Sequence, residues 1–151
     1  MTNGTAIMDI PHGEDTAEKR IRIVIADDHP IVRDGIKRLL ALENDIDVVG
    51  EAGDGRGVLD VVHETNPDVL LLDLRMPGMD GWEVRQELAK DARTAAVPVI
   101  LVSADRDARN RDGGADVQGF VAKPFDLEEL EGAIRGVLAN APQPVAMESA
   151  G

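Results

Sequence analysis

The chain has no cysteine and no tyrosine, and its only aromatic side chains are one Trp and two Phe. The missing thiols exclude disulfides, thiolate catalysis and Cys-ligated zinc, and accord with a reducing cytoplasm. With so few rings, the core has to be built from Val, Leu, Ile and Ala. Positive charge is also scarce: 16 Lys and Arg stand against 29 Asp and Glu, for a formal net charge of −13. Most of that excess falls within residues 21–140, and such a surface repels a phosphate backbone, so direct nucleic-acid binding by this chain is not expected. Long apolar runs are absent too. None approaches the roughly 18 residues of a membrane span, and the N-terminus lacks a basic-then-apolar leader, so the expectation is a cytoplasmic protein with no membrane partner.

What remains is a chain of 151 residues, enough for one domain with a proper core. Residues 1–20 show no sustained period and read as a mobile tail, and "APQPVAMESAG" at 141–151 reads as a flexible C-terminal tail. Between them, residues 21–140 alternate two kinds of pattern. "IRIVIA", "DVVGEA", "DVLLLDL", "VPVILVSA" and "GFVAK" are short, largely apolar runs suited to strands, the first and third apolar enough to be buried on both faces. Helical patterns lie between and after them. Ile31, Ile36, Leu39 and Leu40 fall at helical spacing after Pro30, which can occupy the first turn; "DGRGVLDVVHETN" is helical until Pro67; and "GWEVRQELAKD" offers Trp82, Val84 and Leu88 for a buried side. In the last helix, Asp126 and Glu129 have the spacing of a capping box. This alternation predicts an α/β fold, a doubly wound five-stranded parallel sheet with helices on both faces.

Open parallel sheets bind ligands beyond the carboxyl ends of their strands. At those ends stand Asp27 and Asp28 after the first strand, Asp73 at the end of the third, Ser103 after the fourth and Lys123 after the fifth. Three carboxylates at one edge repel one another unless a cation offsets them, so the cluster predicts a hard divalent ion, Mg²⁺ being the natural candidate. A neighbouring lysine adds positive charge, and the two cations together suit a phosphoryl group. Ser103 offers a hydroxyl donor, and a carboxylate left exposed can form an acyl phosphate. Asp73, beside the loop "MPGMDG", is best placed. His29 next to the acid pair is read as an ordinary surface residue, since Mg²⁺ prefers oxygen.

The acid pair in "ADD", the strand-end aspartate followed by "MPGMDG", the serine after the fourth strand and "KPF" after the fifth resemble, in order and interval, the receiver domain of two-component response regulators. The similarity covers roughly residues 20–140. It implies a flavodoxin-like receiver fold with strand order 2-1-3-4-5. It also implies that Asp73 accepts a phosphoryl group from a sensor histidine kinase, a phosphotransfer protein or a small acyl phosphate. Asp28 would bind Mg²⁺ directly and Asp27 through water, with Asp73 and the backbone carbonyl of Arg75 completing the protein's contacts. Lys123 would pair with the phosphoryl group, Ser103 would be the switch hydroxyl and Phe120 the switch aromatic. The Lys123–Pro124 peptide bond would be cis. Arg75 and Asp105 lie where the family tunes acyl-phosphate lifetime. Self-catalysed phosphorylation and dephosphorylation would be the only chemistry, with no turnover of an outside substrate.

Two departures from the family pattern carry expectations. Residues 104–118 are shorter than usual and nearly free of large apolar side chains, so the fourth helix should be short or disordered. The front portion looks like receivers that precede a helix-turn-helix DNA-binding domain, yet only about eleven residues follow the last helix. The first expectation is therefore a stand-alone receiver that switches a surface for an unknown downstream protein, as a monomer or a phosphorylation-dependent dimer. The alternatives are a receiver fragment of a larger DNA-binding regulator, a pseudo-receiver binding module that is never phosphorylated, and a metal-dependent hydrolase. The intact set of five polar residues speaks against the pseudo-receiver, and the absence of a general acid at Leu74 and Arg75 speaks against the hydrolase.

Overall fold

The computed structural model describes residues 20–105 and 117–140. Five strands, β1 (Ile21–Ala26), β2 (Ile46–Ala52), β3 (Val69–Asp73), β4 (Val99–Ser103) and β5 (Gly119–Ala122), pair in parallel in the order β2-β1-β3-β4-β5, the order 2-1-3-4-5 expected from sequence. Helices α1 (Pro30–Leu40), α2 (Gly55–Thr65), α3 (Gly81–Ala89) and α5 (Leu127–Asn140) lie between and after the strands, and a single turn α4 (Ala92–Ala95) precedes β4. The expected tails and the expected short fourth helix within 104–118 fall almost wholly outside the described residues.

The strands divide their side chains between two cores. Val24, Ala26, Leu70, Leu72, Val99 and Leu101 pack with Val58 and Val62 of α2 and with Val84 and Leu88 of α3. Ile23, Ile25, Val69, Leu71, Ile100 and Val102 pack on the other face with Ile36 and Leu40 of α1 and Leu130, Ile134 and Val137 of α5. Alternation sends successive residues to opposite faces, and helices cover both, so β3 and β4 are buried along their whole length. Each of the three central leucines contributes about 2 kcal/mol by burial.

Helix α1 differs from its sequence reading at one residue. Ile31 is 86% exposed, and Val32 packs towards the core in its place. Val32 lies one α-helical repeat of four residues before Ile36 and shares its face, whereas Ile31 lies well round the helix from it.

Local chemistry fixes where the helices start. Asp126 and Glu129 form the expected reciprocal capping box, each side chain accepting the other's backbone N–H at 2.9 and 3.0 Å. A second box, Asp80 with Glu83, starts α3 with both bonds at 2.9 Å. Before it, Gly78 takes φ +81°, a left-handed conformation that suits glycine. Gly81 lets α3 start against the end of β3, since a Cβ there would come within 3.0 Å of the Asp73 carbonyl oxygen. These devices turn the chain sharply after Asp73 and leave its carboxylate at the sheet edge.

Candidate functional site

The carboxyl ends of β1, β3, β4 and β5 bring five of the sequence-predicted side chains to one edge. Asp27 is held by its neighbours: its Oδ1 accepts the His29 backbone N–H at 2.8 Å, and its Oδ2 accepts from Lys123 Nζ at 3.0 Å. Lys123 Nζ also lies 3.7 Å from Asp73 Oδ1, so one ammonium is shared between two acids. The Asp73 side chain is 7% exposed, and the Arg75 backbone N–H reaches its Oδ1 at 3.4 Å. Burial pushes the Asp73 carboxyl above its ordinary value. The negative charges of Asp27 and, less, Asp28 push the same way, while Lys123 and the Arg75 N–H oppose them.

Ser103 is buried at the end of β4, and its Oγ accepts the Asp105 backbone N–H at 3.0 Å. Phe120 is partly buried, packs against the core between the sheet and helices α2 and α3, and sits in register with Leu101. The Lys123–Pro124 bond is cis.

Two neighbours were not read from sequence as parts of this edge. Arg33, on the first turns of α1, donates from Nη1 to the Asp27 backbone carbonyl at 2.5 Å and from Nε to Glu51 at 2.9 Å. Lys37 donates to the other Glu51 oxygen at 2.6 Å, and the two cations hold the Glu51 carboxyl below its ordinary value, Lys37 foremost. An arginine on an otherwise polar helix face carries no pattern that marks it as a prop for the preceding strand end. His29 is the second: its ring is exposed, yet Nδ1 points back at the acid pair, 3.2 Å from Asp27 Oδ1 and 2.9 Å from Asp28 Oδ1.

The donor set fits a divalent cation. Carboxylate oxygens of Asp27, Asp28 and Asp73 lie with His29 Nδ1 within 4.8 Å of one another. Asp28 Oδ1 is buried without a hydrogen-bond partner, because the His29 contact is close but not aligned as a hydrogen bond. A buried carboxylate oxygen left in that state is costly unless a cation meets it. Hard oxygen donors of this kind suit Mg²⁺ or Ca²⁺.

A doubly wound sheet with an acid cluster, a hydroxyl and a lysine at its carboxyl edge defines a class of flavodoxin-like signalling domain. The chain belongs to the response regulator receiver domain family, which matches residues 23–135. The nitrate/nitrite response regulator NarP of Escherichia coli is 41% identical over 119 residues, covering 76% of this chain and 53% of that protein. The signal receiver domain of the response regulator NarL from Mycobacterium tuberculosis superposes with a TM-score of 0.71 at 34% identity, covering 81% of this chain and 98% of that one. The receiver domain of a sensor histidine kinase from Pseudomonas aeruginosa shares the fold at a TM-score of 0.72 and 23% identity, over 80% of this chain and 99% of that one, and holds a magnesium ion coordinated in its active site cleft. The chain spans about half the length of the curated relatives it matches. Among the described residues, no helix is long and apolar enough to cross a membrane.

Proposed function

We propose that Asp73 is the phosphoacceptor of a two-component relay and that the acid cluster takes Mg²⁺ as its partner ion. The observation that carries this is the gathering of the Asp27, Asp28 and Asp73 carboxylates at one edge, with two of them on Lys123 and an Asp28 oxygen left unpartnered. Asp28, Asp73 and the Arg75 carbonyl would hold Mg²⁺, with Asp27 acting through water, and the ion would supply charge neutralisation for an incoming phosphoryl group. Asp73 then attacks phosphorus: its carboxylate oxygen forms the new O–P bond while the P–N bond to a phosphohistidine breaks, and the imidazole leaves with the bonding pair. Lys123 moves from Asp27 towards the transferred oxygens, and the Ser103 hydroxyl donates to one of them. Phe120, partly buried in register with Leu101, transmits the change to the surface formed by β4 and β5.

The donor is a sensor histidine kinase or a phosphotransfer protein, and the output is a protein contact made in the cytoplasm. No outside substrate is turned over, and the same groups position water for hydrolysis of the acyl phosphate. The length of the relatives favours one second reading, a receiver portion governing a DNA-binding partner domain, since a DegU transcriptional regulator is among them and this chain covers 52% of it. The test of the main reading is intact mass after incubation with Mg²⁺ and a small acyl phosphate. The parent chain gains one phosphate and Asp73→Asn gains none. Equal labelling of that variant refutes the site, and no labelling of the parent favours a binding module.

A further inference from the structure

We infer that His29 is a metal ligand of this edge and that its ring nitrogen makes the site select borderline 3d ions such as Co²⁺ over Mg²⁺. This rests on the proposed metal site and deepens it. His29 is the N-cap residue of α1, a position whose side chain ordinarily accepts a helix N–H, yet its ring makes no capping bond. The ring is turned the other way, with Nδ1 hydrogen-bonded to Asp27 Oδ1 at 3.2 Å and lying 2.9 Å from Asp28 Oδ1. An octahedral ion with bonds of about 2.1 Å holds adjacent donors about 3 Å apart, so both distances match neighbouring corners of one coordination sphere. The shorter of the two is not aligned as a hydrogen bond and leaves Asp28 Oδ1 unpartnered. Nδ1 and Asp28 Oδ1 are thus as close as two ligands of a common third atom, a place an ion takes up once Nδ1 gives up its hydrogen bond to Asp27.

The backbone keeps the ring there. The His29 N–H is bonded to Asp27 Oδ1, Pro30 follows directly, and Arg33 anchors the Asp27 carbonyl from the next turn. The ring is 65% exposed, so an ion can reach it without opening the fold. Imidazole adds little for Mg²⁺, which keeps oxygen ligands and waters, but strengthens binding along the series Mn²⁺, Co²⁺, Ni²⁺. A site of three carboxylates and one imidazole therefore ranks those ions higher than a site of carboxylates alone.

The test is calorimetric titration of Mg²⁺ and Co²⁺ into the full chain under mildly alkaline conditions, where imidazole is neutral. His12 and His63 are replaced by alanine in every sample, so that no other histidine reports. His29→Ala is expected to weaken Co²⁺ binding about tenfold or more and to leave Mg²⁺ within about twofold. The retained Mg²⁺ affinity also shows that the variant is folded. Unchanged Co²⁺ affinity in His29→Ala overturns the inference while leaving the carboxylate site standing, and an equal loss of both ions overturns it in favour of a structural role. If neither ion binds the His29-containing chain, or if Asp28→Asn leaves both affinities unchanged, the metal site itself falls and the inference with it.

Discussion

Two acidic clusters sit at opposite ends of the same sheet, and they are finished differently. At the amino-terminal end, Arg135 of α5 gathers Asp45 with two bonds of 2.8 and 2.9 Å, Glu131 at 2.9 Å and Glu43 at 3.3 Å. A single planar guanidinium answers every carboxylate with its own donor, holding the Asp45 carboxyl below its ordinary value. At the carboxyl end, Lys123 reaches one acid at 3.0 Å and a second at 3.7 Å, and an oxygen of a third has no hydrogen bond. Both clusters set three carboxylates against one cation. The first is complete as a structural tie, and the second lacks positive charge that a ligand must bring.

The largest effect that would sharpen this contrast is ligand-linked stability. Mg²⁺ at about a hundred times its dissociation constant should stabilise the parent by ~2.7 kcal/mol in denaturant titrations, and Asp28→Asn should remove most of that gain. Arg135→Ala, unaffected by Mg²⁺, should cost about 1 kcal/mol, a modest figure because the side chain is well exposed and screened. If Mg²⁺ rescued that loss selectively, the two clusters would not be independent. The smallest effect lies at a third pair, His63 with Asp91 at 2.9 Å, where the ring's hydrogen bond to the Asp91 carboxylate raises the histidine's pKa. A raised folded value means the pair's contribution is fully present below ~6.5 and lost as pH rises through the folded value. In NMR titration, Asp91→Asn should lower the His63 midpoint, and an unmoved midpoint would mean that Asp91 does not hold the ring.

Strand ends were the most legible part of this chain. Asp27, Asp28, Asp73, Ser103 and Lys123 follow short apolar runs, and a parallel sheet must put their carboxyl ends on one side, so topology alone brings them together. The Asp126–Glu129 box was equally plain, because its two partners are three residues apart. The matching box at Asp80 and Glu83 obeys the same spacing but sits at the end of a Gly- and Pro-rich loop, where the aspartate reads first as a turn residue. Other features needed the fold. Ile31 and Val32 are adjacent and both apolar, and only the helix's final rotation against the sheet decides which is buried. Arg33 and the His29 ring act on Asp27 through tertiary direction, which no periodicity encodes. Phe120 takes one of the two roles its position allows in sequence terms, packing partly into the core in register with Leu101 of β4.

The central claim is that the carboxyl-end cluster is electrostatically incomplete, and the stability of Asp73→Asn tests it most directly. Burial and neighbouring acids raise the Asp73 carboxyl's pKa, so its ionised form costs the fold stability above the unfolded value, and that cost fades as pH falls. In neutral solution without divalent ions, Asp73→Asn should therefore be more stable than the parent, by on the order of 1 kcal/mol, and with saturating Mg²⁺ the order should reverse. A variant that is less stable than the parent in metal-free solution would contradict the account, because Asp73 would then belong to a completed network like that of Arg135.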